Sequence, residues 1–149
     1  MKTFALRSGD LVLTGNSYGM VAGTARAQQQ ISLCLREPYG TDRFHRRWGS
    51  VLPSWVGRAL VDSAIGIEVR AEIIRVVKNY IAAQDSAVTA RSVRGLRPVV
   101  TPNEIIVDVS DIKVSQKQDS LIVKATLVTS GGQDFSIVTA PGRTDGYTQ

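Results

Sequence analysis

The run Ile105-Ile106-Val107-Asp108-Val109-Ser110-Asp111-Ile112-Lys113-Val114 decides the fold class, because its apolar residues recur with a period of two. Ile105, Val107 and Val109 alternate with polar or exposed positions, and Ile112 and Val114 then take the opposite phase. Alternation gives a strand one apolar face, and a phase change signals an extra residue, here a bulge expected near Ser110-Asp111. Gln116 to Ser120 reads as a turn, after which Leu121, Val123, Ala125 and Leu127 alternate again. Ser130-Gly131-Gly132 turns the chain into Phe135, Ile137 and Thr139. Strands joined by such short turns form an antiparallel meander.

Upstream the period is that of a helix. Val69, Ile73, Val76 and Tyr80 stand at i, i+4, i+7 and i+11, widened by Ile74, Val77 and Ile81, with Glu68, Arg70, Glu72, Arg75, Lys78 and Asn79 on the other side. This predicts an amphipathic helix over 67–83, packed on the meander. Residues 84–104 contain Arg94-Gly95, Pro98 and Pro102 and read as a helix extension followed by a loop. A short helix fits 53–60, with Pro53 in its first turn, Leu52, Trp55, Val56, Ala59 and Leu60 at helical spacing, and Gly57 weakening it. Residues 37–50 form a loop rich in Arg, Gly and aromatics. Another helix is expected over 24–36, capped by Thr24, with Ile31, Cys34 and Leu35 on one face and Glu37-Pro38 ending it. Residues 2–22 read as short strands turning at Ser8-Gly9-Asp10 and Thr14-Gly15-Asn16-Ser17. No internal repeat stands out. The expected fold is therefore α+β: an N-terminal hairpin and two or three helices packed on a C-terminal antiparallel β-meander. A single domain would span 1–140, with a flexible tail at 141–149.

Composition narrows the function. The chain has 149 residues, 43% hydrophobic and 21% charged, which suits one globular domain. It lacks the roughly 18 consecutive apolar residues of a membrane span, and its first residues do not resemble a secretory signal. A cytoplasmic start and no membrane partner are expected. Cys34 is the sole cysteine and His45 the sole histidine, so an internal disulfide, a cysteine-rich or histidine-rich zinc site, and catalysis by paired histidines are excluded by count. Cys34, among Ile31, Leu33 and Leu35, reads as a buried small hydrophobe.

The net charge of +5 comes from 18 Lys and Arg against 13 Asp and Glu. Arg36, Arg43, Arg46 and Arg47 crowd one segment with Tyr39, Phe44 and Trp48, and Arg91, Arg94 and Arg97 crowd another. The first cluster admits three readings: stacking and phosphate contact with single-stranded nucleic acid, a protein interface, or a solvated loop whose aromatics pack on the core. Nucleic acid ranks below a protein interface. A glycosidase would need two carboxyl groups, one kept protonated; Glu37 with Asp42 or Asp62 is the best pair available, and no spacing requires it. His45, among arginines, is a poor general base. The glycines form no phosphate-cradling loop. No catalytic residue, metal ligand or cofactor is assigned, and the chain reads as a non-enzyme.

The element order, taken with two loop motifs, carries a resemblance. Leu35-Arg36-Glu37-Pro38-Tyr39-Gly40 and Phe44-His45-Arg46-Arg47-Trp48-Gly49-Ser50-Val51-Leu52 look like the loop "Gly-Glu-Arg... aromatic... Gly-Ser-x-Leu" of the small baseplate wedge, or sheath-initiator, family. That family, whose members include lysozyme-like wedge subunits, serves phage contractile tails and type VI secretion baseplates. The resemblance covers about residues 10–140. The family's Glu-Pro-Arg triplet is missing; Gln84-Asp85-Ser86 or Pro102-Asn103-Glu104 stand nearest to its place, and its loss leans toward a phage. The resemblance implies a structural virion protein of the tail baseplate, assembled in the host cytoplasm, that links the inner baseplate to the sheath and initiates sheath assembly. Its implied partners are the tail sheath protein, other wedge subunits, and tube or hub proteins, with multiple copies, expected to be six, around the tail axis. The implied sheath-binding edge strand is Asp134, Phe135, Ser136, Ile137, Val138 and Thr139. Arg43, Arg46, Arg47, Trp48, Asn103 and Glu104 would face the baseplate. Removing 134–149 is then expected to leave a folded protein. The alternatives are a basic nucleic-acid-binding domain or a generic virion adaptor.

Overall fold

Period-two patterning in the last third of the chain becomes a three-stranded sheet, and the helical stripe before it becomes the helix beneath. The computed structural model describes residues 2–7, 10–55, 63–97, 100–117 and 120–139, with side chains except at 63–65, 116, 117, 120, 121, 138 and 139. Six two-residue strands come first: β1 (Thr3–Phe4), β2 (Leu6–Arg7), β3 (Asp10–Leu11), β4 (Leu13–Thr14), β5 (Ser17–Tyr18) and β6 (Met20–Val21). Helices α1 (Gly23–Arg36), α2 (Leu52–Trp55) and α3 (Ser63–Val93) follow. A 3-10 turn at Pro102–Glu104 then leads into β7 (Ile106–Lys117), β8 (Ser120–Thr129) and β9 (Asp134–Thr139). The fold is α+β, as the pattern predicts.

The meander runs β7-β8-β9, antiparallel throughout. The expected bulge lies between Val109 and Asp111, and a second lies between Ile106 and Asp108. This second bulge reverses one expectation. Ile106 turns inward at 1% exposure, whereas Val107 is 50% exposed, because the extra residue flips the faces locally. The helices cover one face of the sheet, α1 lying against β9 and α3 against β7. Ile31 and Leu35 of α1, Val69, Ile73 and Val76 of α3, and Ile106, Leu127 and Ile137 of the sheet form the buried core.

Two helix boundaries differ from expectation. α1 starts at Gly23 rather than behind a Thr24 cap, and its first amide donates to Glu104 Oε1 at 2.9 Å. A carboxylate brought from 81 positions away thus replaces the local hydroxyl, and its charge also suits the positive end of the helix dipole. α3 runs for 31 residues, starting at Ser63 rather than at 67 and continuing ten residues past 83 as the helix extension read there. Its buried stripe ends near Ile81, but Ala82, Ala83, Gln84, Ala87 and Ala90 favour helix and nothing breaks it before Gly95. α2 matches the start of the helix expected over 53–60; its remainder, including Gly57, lies outside the described residues, as do Asp62, Pro98 and the tail 141–149.

The first strands contain an internal repeat, against the expectation of none: Phe4, Leu11 and Tyr18, and Leu6, Leu13 and Met20, recur every seven residues. β2 pairs β3, β4 pairs β5, and β6 returns to β1, each ladder displaced seven residues along the chain. Val12 donates to Ala5 O at 3.0 Å, Gly19 to Val12 O at 2.7 Å, and Ala5 to Gly19 O at 2.8 Å. Three seven-residue units, 3–9, 10–16 and 17–23, thus close a three-fold ring of main-chain bonds. Gly15 turns β4 into β5 at φ 63°, a conformation glycine adopts without a Cβ penalty. The corresponding turn at Ser8-Gly9 lies outside the described residues.

Candidate functional site

β9 is the last strand of the sheet, and no described strand pairs with its outer side. Thr129 N donates to Gln133 O at 3.0 Å, and pairs Leu127↔Phe135, Ala125↔Ile137 and Val123↔Thr139 continue that register. By antiparallel alternation, the backbone groups of Asp134, Ser136 and Val138 point away from β8. Side chains alternate with the same period, perpendicular to the sheet. Ile137 is 1% exposed in the core and Phe135 packs against it, while Asp134 is exposed.

The edge strand is therefore offered through its backbone. Phe135 and Ile137 turn their side chains to the core beneath the strand. Deleting 134–149 would strip buried Ile137 from the domain, so the truncation is expected to cost stability and needs a folding control.

One outward carbonyl already has a partner: Gln28 Nε2 of α1 donates to Ser136 O at 2.8 Å. Gln28 belongs to a run of three glutamines that reads in sequence as helix filler. Successive helical residues point about 100° apart, so each reaches a different neighbour. Gln29 Oε1 accepts from Leu6 N and its Nε2 donates to Phe4 O, both at 2.9 Å, tying the N-terminal ring to α1. Gln30 Oε1 accepts from the Tyr80 hydroxyl at 2.6 Å. Burial pushes that hydroxyl's pKa up to about 12, so it remains a donor. Three consecutive amides on a helix with a buried opposite face were the available signal.

The arginine loop is a rigid platform. Tyr39 N donates to Ser50 O, Ser50 N to Glu37 O and Gly40 N to Trp48 O, at 2.9, 2.7 and 3.1 Å, closing the two arms on each other. Gly49 sits at φ 87°, and a Cβ there would lie 2.6 Å from Pro38 O, so the close approach requires glycine. α3 clamps the base. Arg75 Nε and Nη2 each bond a Glu72 oxygen at 2.7 Å, Nη2 also bonds Gly49 O at 2.9 Å, and Glu72 Oε1 accepts Val51 N at 2.8 Å. Burial pushes the Glu72 pKa up, but the Arg75 and Val51 hydrogen bonds outweigh it and leave the carboxyl below its ordinary value. The Arg75 guanidinium also lies 4.6 Å over the Tyr39 ring.

This platform presents Arg43, Arg46 and Arg47 to solvent around Phe44, which is 87% exposed. Trp48 is not among the presented groups. Its half-buried ring packs on the core, 6.2 Å from Tyr80. Asn103 is partly exposed at the 3-10 turn. Glu104, expected at the baseplate interface, is only 1% exposed and bonds Gly23 N, Thr101 N and Thr101 Oγ1. Its carboxylate is satisfied within the subunit, joining the turn to the start of α1.

The candidate enzyme groups fall differently. Asp42 Oδ1 accepts from Phe44 N at 2.7 Å and His45 N at 2.9 Å, and the His45 and Phe44 amides hold its carboxyl below the usual range. Asp42 Oδ2 lies 3.6 Å from His45 Nδ1 on the exposed loop. Asp42, Glu72 and Glu104 all shift downward, whereas a glycosidase acid must shift upward. Glu37 lies at the end of α1, and its proposed partner Asp62 is outside the described residues. Cys34 is buried, with its thiol pushed up to about 11 by that burial. Among the described residues no group of three or more His, Cys, Asp or Glu is placed to hold a metal, and no helix is long and apolar enough to cross a membrane. No protein-family model, curated protein or solved structure matches the chain.

Proposed function

We propose that this chain is a structural wedge subunit of a contractile-tail baseplate, linking the inner baseplate to the sheath and starting sheath assembly by strand addition to β9. One observation supports this above the others: the outer backbone of Asp134 and Ser136 meets no described strand, while Ile137 anchors the same strand in the core. An edge held rigidly in extended form is the surface on which a foreign strand continues a sheet. No Lys or Pro guards it between Asp134 and Thr139. An incoming strand displaces one exposed side-chain hydrogen bond, from Gln28, at a cost of about 1 kcal/mol. The arginine platform, with Phe44 at its tip, suits the other wedge subunits, since Arg and aromatic residues concentrate binding energy at interfaces.

The test is Ser136→Pro. Proline removes the outward N–H but leaves the ladder to β8, a substitution edge strands tolerate. The variant is expected to keep its circular dichroism spectrum and urea midpoint, and to lose nucleation of sheath by at least about tenfold, the scale set by losing a main-chain bond and its neighbours. Full-length sheaths on tails assembled with folded Ser136→Pro protein would remove β9 from the role.

A further inference from the structure

A cleft of about 280 Å³ opens beside α1 and α3. Its apolar wall includes Trp48, Tyr80, Val88 and Val100, and two guanidinium groups, Arg26 and Arg91, stand among them. The backbone beyond α3 returns on this side: Leu96 N donates to Arg91 O at 3.0 Å and Arg91 Nε to Arg97 O at 3.1 Å. These bonds use one Arg91 donor and leave its two Nη groups without a partner among the described residues. The Arg26 side chain is 12% exposed, and its Nε is buried with no hydrogen-bond partner. One Arg26 Nη lies 3.5 Å from Glu104 Oε1, a long contact to a carboxylate also engaged by Gly23 and Thr101.

Among the described residues no carboxylate lines the cleft, and exposed Arg94 and Arg97 add positive charge beyond it. A volume of about 280 Å³ has room for one large side chain. Apolar walls ask for an aromatic or branched aliphatic group, and unused guanidinium donors ask for carboxylates beside it.

We propose that this cleft is a second docking site, which takes an aromatic or branched aliphatic side chain from an acidic segment of a partner polypeptide, its neighbouring carboxylates bonding Arg26 and Arg91. Among the described residues none of β9 lines it, so the site stands or falls independently of strand recruitment by that edge.

The probes are three short peptides, acetyl-Glu-Phe-Glu-amide and its Gln-Phe-Gln and Lys-Phe-Lys counterparts, with a thymidine decanucleotide as a nucleic-acid arm. Binding to the full chain is followed by NMR at the Trp48 indole and the Val88 methyls. The acidic peptide is expected to shift both and to bind about tenfold more tightly than the glutamine peptide, one charge-assisted pair's worth. The basic peptide should not bind. Arg91→Gln should reduce the acidic preference about fivefold, Arg91→Lys should restore part of it, and Arg94→Gln should leave it within about twofold. Equal binding of the three peptides, no shift at Trp48, tighter binding of the oligonucleotide at the same resonances, or shifts confined to Arg43–Arg47 would each overturn the proposal.

Discussion

The N-terminal ring and the C-terminal meander are both antiparallel and both place apolar residues opposite one another, yet only one of them is buried. In the meander, Val123, Ala125, Leu127 and Ile137 are at most 1% exposed. In the ring, Phe4 faces Met20, Leu6 faces Leu11 and Leu13 faces Tyr18, but Phe4, Leu11, Leu13, Tyr18 and Met20 remain between 49% and 67% exposed. An edge-to-face contact of Phe4 on Tyr18, centroids 5.6 Å apart, shelters little of that surface. The difference lies in what the chain delivers to each sheet. α1 and α3 bring buried stripes to the meander, whereas the ring meets α1 through the polar Gln29. Strand pairing alone does not make a core; a second apolar layer does.

The largest effect that tests this contrast comes from truncating equivalent leucines. Leu127→Ala removes a side chain that is 0% exposed and should cost about 3 kcal/mol in urea unfolding. Leu13→Ala removes one that is 67% exposed and should stay within about 0.5 kcal/mol. Equal costs for the two would mean that the ring belongs to the cooperative core and that the contrast is false.

This contrast also marks what the sequence could disclose. The meander, its bulge at Val109–Asp111 and the α3 stripe were legible because burial on one face imposes a period on residue type. The ring repeat shows in the sequence as Phe4, Leu11 and Tyr18 and as Leu6, Leu13 and Met20 recurring every seven residues, but what that spacing builds lives in main-chain bonds among Ala5, Val12 and Gly19. The helix extension past Ile81 was legible, but its end at Val93 was not, since little is buried there and the helix is held by propensity and by Gln84, which bonds Glu104 O and Ile106 N. At the candidate site, β9 was legible as a terminal strand. The division between its core-facing Phe135 and Ile137 and its outward backbone required the register with β8. The tie of Glu104 to Gly23 and the roles of the three glutamines depend on contacts across 23 to 108 positions, which no local pattern records; the Glu104 bonds to Thr101 instead follow a Thr-x-x-Glu capping box that the sequence carried.

The second effect joins the two halves of the chain. Glu104 is drawn upward in pKa by burial, but hydrogen bonds from the Thr101 and Gly23 amides outweigh this and hold it below the ordinary glutamate value. A group depressed in the folded state contributes stability above its unfolded pKa of about 4.3 and loses it as pH falls through the lower folded value. Glu72 behaves in the same sense. Glu104→Gln offers an NH2 where a second acceptor oxygen stood, leaving an amide of Gly23 or Thr101 unsatisfied, at about 2 kcal/mol near neutral pH. The gap between variant and wild type should narrow as pH drops below the ordinary glutamate value. A gap that stays constant from pH 7 to pH 3 in urea titrations would show that the carboxylate charge at Glu104 contributes nothing.

The smallest effect isolates the ring itself. Among the described residues Gln29 makes both hydrogen bonds between α1 and the first strands, accepting from Leu6 N and donating to Phe4 O. It lies on the helix away from buried Ala27 and Ile31, so Gln29→Ala opens no cavity. Alanine also favours helix, which offsets part of the loss. The expected cost is about 1 kcal/mol, felt at the ring rather than in global unfolding. Amide exchange should accelerate at Leu6, Val12 and Gly19, whose N–H groups sit in or beside the main-chain ring, while Val123, Leu127 and Ile137 in the meander keep their protection. If the meander amides accelerate in step with the ring, the two regions unfold as one unit and the exposed apolar pairs contribute to the same cooperative structure as the core.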